Sequence, residues 1–229
     1  MAGALRDEGE ELTLDVDATQ IEAEKQDAQR TYNKVKGYMP RVGYVNGMCV
    51  GHEFREGSES PGARMLEFGQ KCEAGIPKGK RIYFRADSAA YQAAVINYYN
   101  QPGRSFTITA DLDTAVKREM EHLPETAWQP YRTADGGSTD REIAEPVHSM
   151  NDTEQAFRLI VLRWANPQPS LFEADRYRYH AVAANREETA SEVIWKHNGR
   201  GNSENWHKEL KGGLGMEQMP CGESEANAM

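Results

Sequence analysis

Three acidic residues stand where elements of structure end. Asp17 lies in the string Leu14-Asp15-Val16-Asp17-Ala18-Thr19, Asp87 closes the run Ile82-Tyr83-Phe84-Arg85-Ala86, and Glu204 sits in a late helical segment between Arg200 and Lys211. Acids projecting from strand ends of an α/β sheet occupy the side where such sheets bind ligands. Hard oxygen donors with few histidines suit Mg2+ or Mn2+ better than zinc. Two such ions about 4 Å apart activate an attacking oxygen and stabilise a leaving one during phosphodiester displacement. The residues are far apart in sequence, so only folding can gather them.

The late segment is the most ordered of these signals. It reads His197-Asn198-Gly199-Arg200-Gly201-Asn202-Ser203-Glu204-Asn205-Trp206-His207-Lys208-Glu209-Leu210-Lys211. On a helix, Arg200, Glu204 and Lys211 share one face. A carboxylate flanked by two cations can hold a metal ion beside a phosphodiester, because Arg forks onto phosphate and Lys acts as a point charge. The same spacing also serves an ordinary surface helix held by i,i+4 ion pairs. His52, His122, His148, His180 and His207 share no spacing and read as surface or hydrogen-bonded histidines.

The elements that must position these residues are legible in outline. Residues 12–24 begin as a strand, with Leu12, Leu14 and Val16 on one face and Thr13, Asp15 and Asp17 on the other. Polar sequence follows to Pro40. Residues 41–58 read as a β-hairpin turning at Asn46-Gly47, where both residues tolerate positive φ. Residues 62–75 read as a helix, opened by Pro61 and closed by Gly75. A strand ending at Asp87 precedes a helix over 88–101, stopped by Pro102-Gly103, and 105–111 is another strand. A short helix near 112–122 leads to strands over 145–150, 157–164 and 177–184. Residues 186–213 form two helices broken near Asn198-Gly199. The order predicts an α/β fold whose sheet mixes parallel and antiparallel pairs, with helices on its faces.

Composition bounds the class. Hydrophobic residues make up 38% of the 229 and charged residues 28%, as in a globular chain. No apolar run approaches the ~18 residues of a membrane span, and the acidic start does not resemble a secretory signal. A cytoplasmic protein with no membrane partner is the expectation. Cys49, Cys72 and Cys221 show no CxxC spacing, so neither a zinc site nor a disulfide framework is indicated. The net charge of −9 is distributed unevenly: residues 1–24 are acidic, whereas Lys25, Arg30, Lys34, Lys36 and Arg41 follow with only Asp27 among them. Acid clusters between basic strips suit cations held beside a polyanion, and equally an ordinary acidic protein. Trp164 reads either as a core residue or as a platform for an extruded base. Trp195 and Trp206 read as packing for the late helices.

The segment 197–211 resembles the Tyr-x2-Arg-x3-Glu-x6-Lys signature of bacterial insertion-sequence DDE transposases, with His197 at the Tyr position. Leu14-Asp15-Val16-Asp17-Ala18-Thr19 is similar to that family's first motif, an Asp followed two residues later by Thr, with Asp15 as the rival Asp. Tyr83-Phe84-Arg85-Ala86-Asp87, followed by Tyr91, is similar to its second, and residues 212–229 look like its tail. The resemblance runs in order along nearly the whole chain. It implies a ribonuclease H-like catalytic core over 1–111 and 184–229, with a β-rich insertion over 112–183 before the last catalytic helix. It implies Asp17, Asp87 and Glu204 as catalytic ligands of two Mg2+ ions, with Mn2+ able to substitute, and Arg200 and Lys211 on DNA phosphate. The implied activity is metal-dependent phosphodiester hydrolysis and strand transfer at insertion-sequence ends. The implied partners are transposon-end and target DNA, and a second copy in a homodimer when complete. The family places a DNA-binding region before the first Asp, and relatives continue beyond the last helix, so the chain reads as a truncated copy of the core. An inactive fragment that at most binds DNA or another subunit is the alternative. Another ribonuclease H-like nuclease is a third reading, and the Arg-Glu-Lys helix and the insertion argue against it.

Overall fold

The computed structural model describes Leu5, residues 9–168, residues 176–213 and Gly215, with the side chains of residues 202–204 outside that description. Cys221 and most of the predicted tail, 212–229, lie outside the described residues. The chain divides into two compact units, Met1–Tyr83 with Arg200–Met229 and Phe84–Gly199. Of the described strands, ten belong to one large sheet and three to a small one. The expected mixed α/β class is found.

In the first unit, β1 (Glu11–Ala18) follows its alternation, burying Leu12, Leu14 and Val16. It pairs antiparallel with β5 (Arg41–Val45), in a register running from Leu14 opposite Val45 to Ala18 opposite Arg41. The hairpin to β6 (Met48–Glu53) turns at Asn46 (φ 48°) and Gly47 (φ 82°), the two positive angles expected at a tight primed turn. On the other side of β1 the sheet continues to β7 (Arg81–Ala86), which starts in this unit and ends in the next. Helix α1 (Met65–Glu73) buries Met65, Phe68 and Cys72. Its Cys72 lies over Gly43 and Gly51, and a Cβ at either glycine would stand 2.5 or 2.7 Å from the sulfur.

The polar stretch before Pro40 is not loop throughout. It contains β2 (Ile21–Glu22), β3 (Gln29–Arg30) and β4 (Lys36–Tyr38), ordered β2-β4-β3 around Ile21, Ala28 and Tyr38. Strands of two or three residues are too short to show a period. The unit is completed by α5 (Gly201–Lys208), which continues as a π-helical turn over Glu209–Gly213.

In the second unit the predicted helix 88–101 is shorter than expected. Ser88–Ala90 form a single 3-10 turn, Gln92 is extended (φ −135°, ψ 138°), and α2 covers Ala93–Tyr99. Strand β8 (Arg104–Thr109) and α3 (Thr114–His122) follow, the latter capped by the Asp113 carboxylate accepting from the Val116 N–H. Then come β9 (Gln129–Arg132), β10 (Ser138–Ala144), β11 (Val147–His148), β12 (Phe157–Ala165) and β13 (Tyr177–Ala184). The order is β7-β8-β13-β12-β10-β9, with β11 on β12. Sequence reading missed β9, which carries Pro130, and β10, which is polar along most of its length; both lie at the sheet's end, where such residues are tolerated. Helix α4 (Ala190–Asn198) starts at a reciprocal capping box between Thr189 and Glu192 and packs Val193 and Ile194 against Ile160, Leu162 and Val182.

Candidate active site

With Leu12, Leu14 and Val16 facing the core, the pleat turns Asp15 and Asp17 the other way. Asp15 is 2% exposed and sits opposite Tyr44. Asp17 is near the end of the strand opposite Val42, and its side chain retains 13% exposure. Beyond it the Thr19 N–H bonds to the Pro40 carbonyl at 2.9 Å, which fixes the chain as it leaves the sheet.

The last helical segment brings its side chains to this strand end. Arg200, at the N-cap of α5, places Nη1 3.5 Å from Asp17 Oδ1. His207, near the end of α5, places Nε2 3.5 Å from Asp17 Oδ2. Its Nδ1 is 3.5 Å from Tyr44 Oη, and its ring meets Tyr44 edge-on at 5.5 Å between centroids. Trp206 also packs on Tyr44, with ring centroids 5.0 Å apart, and lies over Gly47 of the hairpin turn. Burial, then Cys49, then the Asp17 charge push the Tyr44 phenol well above its ordinary range, so it stays protonated. The π turn then carries Lys211, whose Nζ donates to the Gln20 carbonyl at 2.7 Å. Arg200 and Lys211 were expected to share an α-helical face. They lie instead at the N-cap and in the π turn, and each reaches the segment where β1 ends.

Asp87 follows β7 directly, caps the Ser88–Ala90 turn, and accepts the Ala89 N–H through Oδ1 at 3.1 Å. It belongs to the second unit. Glu204 lies within α5. Among the described residues no three His, Cys, Asp or Glu side chains group to hold an ion. The Asp17 surroundings nevertheless fit a cation in one respect. His207 is 5% exposed, and among the described residues its Nε2 is buried with no hydrogen-bond partner while lying beside a carboxylate.

His197, at the position of the expected tyrosine, is buried between two hydroxyls of β8, with Nδ1 3.1 Å from Thr107 Oγ1 and Nε2 3.0 Å from Thr109 Oγ1. Trp164 packs against the second unit's core beneath the Arg141 guanidinium, 4.8 Å from the ring centre. Trp195 packs against the same core and donates Nε1–H to the Arg132 carbonyl at 3.0 Å. His207, which reads from the sequence as a surface or hydrogen-bonded histidine, is buried beside Asp17 and Tyr44. The available signal was its position three residues after Glu204 and seven after Arg200, on the same helix side.

A large mixed sheet with flanking helices defines the class, an α/β fold. The chain belongs to the family described as transposase DDE domain group 1, which it matches over residues 2–229. In fold it is similar to a piggyBac transposase, solved by cryo-EM as a synaptic complex with hairpin DNA: TM-score 0.50, 9% sequence identity, 84% of this chain covered. The chain spans 39% of that protein's length. No curated protein sequence matches it. No described helix is long and apolar enough to cross a membrane.

Proposed function

We propose that the chain is the catalytic core of a DNA transposase, performing divalent-metal-dependent phosphodiester hydrolysis and strand transfer at the ends of an insertion sequence. The observation that carries this reading is the Asp17 carboxylate at the end of β1, faced by Arg200 and His207 from the segment that also bears Glu204. In this reading residues 1–111 and 184–229 make up the core and 112–183 an insertion. Asp17, Asp87 and Glu204 would hold two Mg2+ ions, or Mn2+ in their place. The ions would supply an activated water and charge stabilisation at the scissile phosphate.

The chain's own residues do the rest. Arg200, held near Asp17, can release one N–H pair to fork onto a backbone phosphate. Lys211, anchored on Gln20, offers a point charge to the same strand of DNA. A freed 3′-hydroxyl, once the first strand is cut, is the nucleophile for the second displacement. Assembly of two copies on paired DNA ends completes the reading.

The test uses plasmid DNA carrying the element's own terminal repeats, incubated with the protein and Mg2+. Wild-type protein nicks at the repeat ends, whereas Asp17→Asn, Asp87→Asn and Glu204→Gln each lose cleavage while keeping the wild-type circular dichroism. Cleavage that persists in all three variants would falsify the assignment. Cleavage of RNA–DNA hybrids in place of the repeats would reassign the chain to another ribonuclease H-like nuclease.

A further inference from the structure

We propose that His207 is itself a donor to the metal site, placing an imidazole nitrogen beside the Asp17 carboxylate and biasing the site toward a transition-metal ion such as Mn2+ over Mg2+. The proposal rests on the reading of Asp17 as an ion ligand and deepens it.

The imidazole is buried and held in orientation. Its Nδ1 faces Tyr44 Oη at 3.5 Å, its edge packs on the Tyr44 ring, and Tyr44 is braced in turn by Trp206. That leaves Nε2 buried, without a hydrogen-bond partner among the described residues, and 3.5 Å from Asp17 Oδ2. Leaving a buried polar nitrogen unsatisfied is unfavourable, and packing alone gives no reason to place one against a carboxylate. A cation seated between Oδ2 and Nε2 satisfies both. The arrangement has the form of a metal-ligating histidine, one nitrogen free for the ion and the other directed at an oxygen that sets the ring's orientation. Mg2+ binds through oxygen, whereas imidazole favours transition-metal ions, so a nitrogen in the set shifts the preference between them. The opposing arrangement is an imidazolium that joins Arg200 in neutralising Asp17. It would repel a cation, and the two arrangements give opposite results.

The experiment takes the full chain, free of any polyhistidine tag, with 14N- or 15N-labelled histidine. Bound Mn2+ is examined by pulsed electron paramagnetic resonance, and Mn2+ and Mg2+ affinities are measured by titration calorimetry. Wild-type protein is expected to show coupling of Mn2+ to a directly bound nitrogen that changes with the isotope and vanishes in His207→Gln. Mn2+ affinity should fall about tenfold or more in that variant, with Mg2+ affinity changing by no more than about twofold. His207→Asn serves as the second variant should the first not fold. Bound Mn2+ without nitrogen coupling, coupling that survives the substitution, or tighter Mn2+ binding after it overturns the proposal. Asp17→Asn separates the two readings. Loss of both ions in Asp17→Asn, together with wild-type Mn2+ lacking nitrogen coupling, removes only His207 from the site. Undiminished ion binding in Asp17→Asn removes Asp17 as a ligand, and a wild-type chain that binds no Mn2+ removes both.

Discussion

Lys211 Nζ donates to the backbone carbonyl of Gln20 at 2.7 Å across a sequence separation of 191 residues. The bond ties the π turn after α5 to the chain leaving β1, so it works as a clamp on the strand end that carries Asp17. Replacing the lysine by Met removes a charge-assisted bond and should lower stability by about 1–2 kcal/mol, read as a shift of the urea midpoint. If Lys211 also meets DNA phosphate, the salt dependence of DNA binding should lose about one unit of slope. An unmoved midpoint would mean that the clamp carries no weight.

Glu188 is a carboxylate strongly perturbed by its neighbours. Arg186, forking onto it at 2.6 to 3.2 Å, and then Lys196 lower its pKa from 4.5 to about 2. A carboxyl that is more acidic in the folded state stabilises the fold fully above its unfolded pKa and loses that contribution as pH falls toward the folded value. The Glu188 contribution is therefore complete above pH 4.5 and lost by about pH 2. Glu188→Gln should cost about 1–3 kcal/mol at pH 7 and flatten the decline in stability across that acid window. Parallel stability curves for variant and wild type would contradict this.

Gly43 and Cys72 are coupled by contact. A Cβ on Gly43 would stand 2.5 Å from the Cys72 sulfur, with Gly51 in the same position at 2.7 Å. Gly43→Ala should destabilise by about 1–3 kcal/mol through overpacking. Adding Cys72→Ala should recover part of that, so the pair is non-additive in chemical denaturation. The same burial pushes the Cys72 thiol up to about 12, and it should resist alkylation at pH 8 until the chain unfolds.

Helix α4 depends on its first residue. Thr189 Oγ1 accepts the Glu192 N–H, and the Glu192 carboxylate accepts the Thr189 N–H at 3.0 Å. Thr189→Ala should cost about 1 kcal/mol, and hydrogen exchange should quicken first at the amides of the helix's opening turn. Protection that stays as in wild type would show that packing of Val193 and Ile194 alone holds the helix start.

Where a residue's fate depends on its near neighbours in sequence, it could be read directly. The alternation of Leu12, Leu14 and Val16 made β1, Asn46-Gly47 made the hairpin, and the break at Asn198-Gly199 separated α4 from α5. Strands of two or three residues such as β2 and β3 left no period, and polar β10 is held by its pairing with β12 rather than by its own pattern. The site divides along the same line. Asp17, Arg200 and Lys211 stood out by residue type and spacing. The placement of His207 beside Asp17 goes with its packing on Tyr44, which a chain of letters does not carry.

The first unit is discontinuous, made from Met1–Tyr83 and Arg200–Met229, with the whole of Phe84–Gly199 between them. A ribosome therefore emits the strand bearing Asp17 long before the segment bearing Arg200 and His207. During synthesis the nascent chain must leave that carboxylate without its two basic neighbours while more than a hundred intervening residues emerge. A message cut short anywhere within the intervening stretch would yield a strand-end acid that never meets them, so any nicking competence conferred by the gathering is withheld until the segment from Arg200 onward has been made.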